Sequence, residues 1–321
     1  MITFFTIPKD YARAADVAQR NAVGSWLAAP KLAGWQTPPQ IIIFGAAHGA
    51  AGHASELGIE HVAALATNSH GTPLLSHAFA EADRRARHDI LCYLNADIIL
   101  VPQLVAAIGQ VSRSMPSNKW LAVARRRTVD VSDLIDFDDP DWPKAFSESA
   151  LTTLDPPTAI DCFVFPKNSR PLPMPNFVVG RAAWDNWMIY HAWVRGRAVV
   201  DLTPCAHLIH QRHDYAHLGR ARDYDDAPDA DHNRNLLENP FRAFTIDDAT
   251  HRLDPDGVVR RKHPPRLARR VRMAMAIHPA LIWPLRALAF PLLAADVIRE
   301  QLLSRSAVSP SDSPDAPAQP R

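Results

Sequence analysis

The chain has 321 residues, 47% of them hydrophobic and 21% charged, with a formal net charge of +1. That balance belongs to a folded chain, long enough for one large α/β domain with an appendage or for two domains, and it offers no global field to select nucleic acid as a partner. The three cysteines, Cys92, Cys162 and Cys205, are far apart and form no CxxC pair, so they indicate neither a zinc cage nor a disulfide framework and suit a reducing cytoplasm. Met1 leads directly into Ile2-Thr3-Phe4-Phe5-Thr6-Ile7, which reads as a buried strand and not as a signal peptide. A helical pattern follows from Asp10 to Leu27. Gln40 to Phe44 is a β-rich run closed by Gly45, in the manner of a buried parallel strand. Thr72-Pro73 opens a helix to about Arg87, with proline in the first turn.

Ile90 to Leu94 is the next strand and runs into Asn95-Ala96-Asp97. Pro102 starts another helix, and Trp120 to Ala124 is again strand-like. This alternation predicts a doubly wound, mostly parallel sheet flanked by helices, whose ligand crevice lies at the carboxyl ends of the strands. The segment Asp130 to Pro157 is acidic and dotted with proline, which predicts a loop or insertion. Asp161 to Phe165 reads as a strand, Trp184 to Val194 as a helix and Ala198 to Leu202 as a short strand before the histidine-rich stretch Cys205 to His217. The expected division is a catalytic domain over 1–245, a basic and apolar helical extension over 246–303 and a disordered tail over 304–321.

Three stations carry candidate chemistry. Asn95 and Asp97 flank a turn just past a strand, where one side chain reaches a ribose and the other a hard divalent ion, Mg²⁺ or Mn²⁺, on a diphosphate. The competing reading is an Asx-type turn that merely stops the strand. Gly180 to Trp187 sets Asp185 at a helix start between Trp184 and Trp187. A carboxylate there suits proton abstraction from an acceptor hydroxyl, and the indole faces suit pyranose rings. Alternatively, Asp185 is a first-turn acid stabilised by the helix dipole, and the tryptophans are core. His207, His210 and His213 follow a strand at i, i+3 spacing and offer imidazole nitrogens to a metal, without an accompanying HExxH.

In this order the stations resemble the GT-A nucleotide-diphospho-sugar glycosyltransferases of the family 2 type. Cys92-Tyr93-Leu94-Asn95-Ala96-Asp97 stands where that family has a DxD-like turn, and Gly180 to Trp187 where it has a later acidic motif beside tryptophan. Gly196 to Cys205 and on to His210 is similar to the glycine, strand, Pro-Cys, histidine ending of polypeptide N-acetylgalactosaminyltransferases. The likeness covers about Met1 to Tyr215. It departs in Asn95, where most relatives have Asp, and in Asn186, where many have a second acid.

The resemblance implies a GT-A fold and a metal site of Asp97 and His210 holding Mn²⁺ or Mg²⁺. It implies donor contacts from Asn95, Asp97, Thr6, Pro8 and Asn68, acceptor contacts from Trp184, Trp187 and Asn186, and Asp185 as catalytic base. The expected activity moves a sugar from a nucleotide-diphosphate donor to a glycan or lipid-linked acceptor in polysaccharide synthesis. A metal-dependent hydrolase and a non-catalytic glycan-binding scaffold remain open alternatives. The expected location is cytoplasmic, and the arginine-rich stretch 260–272 with the apolar pattern after it leaves open contact with the inner face of a membrane.

Overall fold

The computed structural model describes residues 1–115, 118–147, 153–169, 173–212, 229, 231–261, 267–278, 280 and 282. Two compact units divide the chain, Met1–Lys262 and His263–Arg321. The first contains β1 (Ile2–Thr6), α1 (Arg13–Leu32), β2 (Gln40–Phe44), α2 (Ala50–Leu57), β3 (Glu60–Val62), α3 (Leu75–Arg85), β4 (Ile90–Leu94), β5 (Ile98–Leu100) and α4 (Pro102–Ser114). It continues with β6 (Trp120–Val129), β7 (Ile160–Pro166), α5 (Trp184–Val194), β8 (Ala198–Asp201), β9 (Leu208–Gln211), α6 (His232–Leu236), β10 (His251–Asp254) and β11 (Gly257–Arg260). In the second unit the described helix is α7 (Leu267–Ile277).

The main sheet has the order β11-β10-β8-β6-β7-β4-β1-β2-β3. β1 pairs parallel with β2 and β4, β2 pairs parallel with β3, and β6, β8 and β10 run parallel beyond them. β7 runs antiparallel between β4 and β6. The α/β class expected from the alternating pattern is the one observed: a mixed, mostly parallel sheet flanked by helices.

Period-two alternation sorts the side chains onto two buried faces. Phe4, Cys92, Leu94, Cys162 and Val164 join the core cluster that includes Trp26 of α1 and Leu104 and Ile108 of α4. On the other face Phe5, Phe79, Tyr93, Phe163, Phe165 and Trp184 form an aromatic cluster with ring centroids about 5–6 Å apart.

A small second sheet positions the site. The register between β6 and β7 shifts at Ala124/Arg125, an irregularity that bends a strand. Beyond it, Arg126–Val129 leaves β7 and pairs with β9, which in turn pairs antiparallel with β5. α1 holds β5 in place: the Trp26 indole donates to the Ile98 carbonyl at 2.8 Å, and the Leu100 N–H donates to the Ser25 hydroxyl at 2.9 Å. Leaving such buried groups unpaired costs about 1–3 kcal/mol each, so helix and strand are locked together.

The structure departs from the sequence reading in three places. Residues 251–260 form a hairpin whose β10 extends the main sheet beside β8, so the first unit runs to Lys262 and not to 245. The Asp256-Gly257 pair carries a turn signal, outweighed in the sequence by the arginines around it. The acidic segment is not all surface loop, because Trp142 and Phe146 are buried in a 3₁₀ turn and Asn21 of α1 pins the backbone of Asp133 and Ile135. Short strands β3, β5 and β9 have too few residues for periodicity to reveal. His213, the apolar pattern from 283 to 303 and the tail over 304–321 lie outside the described residues. No described helix is long and apolar enough to cross a membrane.

Candidate active site

A cavity of about 750 Å³ opens beyond the carboxyl ends of β1 and β4, where doubly wound sheets place their ligands. Ile7, Pro8 and Lys9 after β1 line it, as do Gln19 of α1, Asn95, Ala96 and Asp97 after β4, and Arg126 of β6. Asp161 of β7, Gly180 to Ala182, Trp184, Asp185 and His210 complete the wall. Residues far apart in the chain meet here because three strand ends and two loops converge.

One wall is a polar lattice. The backbone of Asn95 closes a tight turn, its carbonyl accepting from the Ile98 N–H at 3.2 Å. Its side-chain amide donates to Asp161 Oδ1 at 2.6 Å. Arg126 donates to Asp161 Oδ2 at 2.6 Å and to Asp155 Oδ2 at 2.9 Å. The Thr128 hydroxyl donates to the same Asp155 oxygen at 2.7 Å. Burial pushes the Asp155 carboxyl up, but Thr128 and Arg126 outweigh it and hold the group below its ordinary value.

His210 and Asp97 come together through the small sheet. β5 and β9 pair Ile98 with His210, and the Gln211 amides, backbone and side chain, donate to the Asp97 carbonyl at 3.3 and 3.1 Å. His210 Nε2 lies 3.8 Å from Asp97 Oδ2, while Nδ1 lies 3.2 Å from the Thr128 hydroxyl. Thr128 gives its only proton to Asp155, so toward His210 it is an acceptor and Nδ1 carries the hydrogen. In the neutral ring, Nε2 then turns a lone pair toward a carboxylate oxygen. An imidazole nitrogen and a carboxylate oxygen are groups of the kind that hold a proton or a metal ion.

The other wall is built around Asp185. Gly180 and Ala183 have φ of 73° and 87°, so the chain enters α5 through a left-handed turn that strains the alanine. Trp184 packs on Tyr93 and Phe163 with centroids 5.2 and 5.0 Å away, leaving Asp185 facing the cavity from the first turn of the helix. Burial raises its pKa to about 7, with a further push from the Asp161 charge and an opposing pull from the Asn186 N–H. That N–H donates to Asp185 Oδ1 at 2.9 Å.

The structure brings Asn95, Asp97, Asp185, His210, Pro8 and Trp184 to one cavity and leaves four other expected residues outside its lining. Thr6 is fully buried in β1. The Asn68 side chain accepts from the backbone N–H groups of His70 and Thr72 and donates to Asp229, which makes it a turn-former. Trp187 stacks on His191 at 4.5 Å and meets Phe177 at 5.4 Å, as core. Asn186 donates to the Phe244 carbonyl at 2.7 Å, a bond that ties α5 to the following segment. The donor contact expected of Asn68 and the acceptor contacts expected of Trp187 and Asn186 are corrected, because these side chains are committed elsewhere, while Thr6 lies outside the cavity lining with its buried hydroxyl unpaired among the described residues.

Sequence reasoning passed over Lys9, Asp155, Asp161 and Arg126. The one available signal was the run Arg125-Arg126-Arg127 inside a strand, an expensive place for charge unless partners wait nearby.

No protein-family model matches the chain, and no curated protein sequence matches it. Among solved structures, the chain is similar to S. aureus TarS 1-349 in complex with UDP-GlcNAc, with 12% identity and a TM-score of 0.42, over 69% of this chain and 61% of that one. It is also similar to M. tuberculosis glucosyl-3-phosphoglycerate synthase, with 13% identity and a TM-score of 0.45, over 76% of this chain and 80% of that one. The chain thus spans about three fifths of the TarS fragment. These are likenesses of fold.

Proposed function

We propose that the chain is a GT-A glycosyltransferase that moves a sugar from a nucleotide-diphosphate donor to a hydroxyl of a glycan or lipid-linked acceptor. What supports the reading is the placing around one cavity of Asp97, with His210 Nε2 3.8 Å away, and of Asp185, a buried carboxyl whose pKa is raised to about 7. A base poised near neutral pH serves proton abstraction best.

Asp185 accepts the proton of the acceptor hydroxyl as its oxygen attacks the anomeric carbon, and the leaving diphosphate departs toward the Asn95–Asp97 wall. Attack from the face opposite the leaving group inverts the anomeric centre. Asp97 and His210 would hold Mn²⁺ or Mg²⁺, which when bound neutralises charge on the diphosphate. Among the described residues no three His, Cys, Asp or Glu side chains gather into a metal group.

Hydrolysis and transfer screened across UDP-, GDP- and dTDP-sugars with Mn²⁺ test the reading. Turnover of one donor that stops in EDTA is the expected result. Absence of both binding and turnover for every donor, in a folded protein, would sink it.

A further inference from the structure

Three cationic side chains line the cavity, and two of them are already engaged. Arg126 is held by Asp155 and Asp161, and Arg181 lies 2.6 Å from Asp229. Lys9 differs, for its ammonium makes no hydrogen bond or ion pair with any described residue, although its backbone is fixed on both sides. The Lys9 N–H donates to Gln19 Oε1 at 2.7 Å, and Gln19 Nε2 donates back to the Lys9 carbonyl at 3.1 Å. Gln19 is only 2% exposed. A buried amide that spends both ends on one neighbour's backbone is a two-point clamp, and Pro8 before it restricts the chain further. The clamp sets the root of the Lys9 side chain at the cavity wall and leaves its charged end available.

The charge around that end explains what it is for. Asp97 and Asp161 face the cavity, and Arg126 is shared between two carboxylates, so this wall without Lys9 would repel an anion. Burial pulls the Lys9 ammonium below its ordinary pKa, and the charges of Asp97 and Asp161 act against that pull.

We propose that Lys9 is a phosphate-binding residue, its ammonium donating to a non-bridging oxygen of the donor's diphosphate and adding a protein cation to the charge supplied at Asp97 and His210. The inference rests on the transferase reading and deepens it. Lysine suits this task because its compact ammonium acts as a point charge on phosphate.

The test is calorimetric titration of the full chain with UDP, GDP and dTDP, each in Mn²⁺ and in EDTA, alongside the matching nucleosides. Lys9→Met should weaken the best-binding diphosphate roughly tenfold in Mn²⁺, the loss expected for one charged hydrogen bond. Lys9→Arg, which keeps the charge, should stay within about threefold of wild type. Nucleoside affinity should be the same in all three proteins. Melting curves check folding, and Lys9→Gln replaces Lys9→Met should the latter unfold. Diphosphate affinity unchanged in Lys9→Met, equal losses in Lys9→Met and Lys9→Arg, or an equal loss for the nucleoside would overturn the role of the Lys9 charge while leaving the transferase reading standing. Failure of all three diphosphates to bind wild type, with or without Mn²⁺, would remove both.

Discussion

The two walls of the cavity handle an aspartate in opposite ways. Asp97 stands 3.8 Å from His210 Nε2, on the cavity wall that carries the Asn95–Asp161–Arg126 hydrogen-bond chain. Asp185 stands at the start of a helix next to the buried Trp184, its Oδ1 accepting from the Asn186 N–H while burial raises its pKa. The first surroundings bring a carboxylate and an imidazole together; the second push a carboxyl toward gaining and losing a proton near neutral pH. Identical side chains thus acquire different work from what is packed around them.

The strongest way to break this contrast is to remove the cation-gathering acid. Asp97→Ala should lower transfer roughly 10³-fold or more and abolish Mn²⁺ binding followed by electron paramagnetic resonance. Asp185→Asn should cost about 10²–10⁴ in kcat while leaving donor affinity intact; a donor affinity that falls in step would move Asp185 to the other wall.

The same variant separates the walls by stability. A folded-state pKa raised to about 7 means the folded chain keeps a proton that the unfolded chain releases near pH 3.9. Stability is therefore lost as pH rises between those values and stays lost above about 7. Asp185→Asn should raise the melting temperature relative to wild type at pH 8 and make little difference at pH 4, read by scanning calorimetry.

Smaller effects sharpen the picture. Wild-type kcat should rise with pH to a plateau above about 7, and Asp161→Asn should move that rise toward lower pH, because the Asp161 charge helps hold Asp185 protonated. An unmoved profile would show that the walls are electrically independent. Smallest of all, Ala183→Gly relieves the left-handed φ of 87° and should add about 1 kcal/mol in denaturant titration.

The sequence revealed the parts of this molecule that rest on long periodic runs. β1, β2, β4, α4 and α5 were legible because several residues in each repeat one pattern. Asp97 and Asp185 were legible because each stands just past or at the start of such an element, and His210 because it belongs to a run of closely spaced histidines. Lys9, Asp155 and Asp161 were not, since their importance arises from who meets them across the sheet. The errors have the same origin. Asn186 and Trp187 share a helix turn with Asp185, and sequence proximity could not reveal that the helix sends them to Phe244 and Phe177 instead.

The pairing of β5 with β9 has a consequence for how the protein becomes competent. Asp97 and Gln211 lie 114 positions apart, and His210 stays near Asp97 only while a three-residue strand, Ile98–Leu100, stays in register with Leu208–Gln211. A slip of one residue would turn the His210 ring to the opposite face. Such distant pairings form slowly during folding, so the main sheet is expected to assemble before the metal pair does. Amide hydrogen exchange at Ile98 and His210 would then act as a gauge of competence separate from the integrity of the fold.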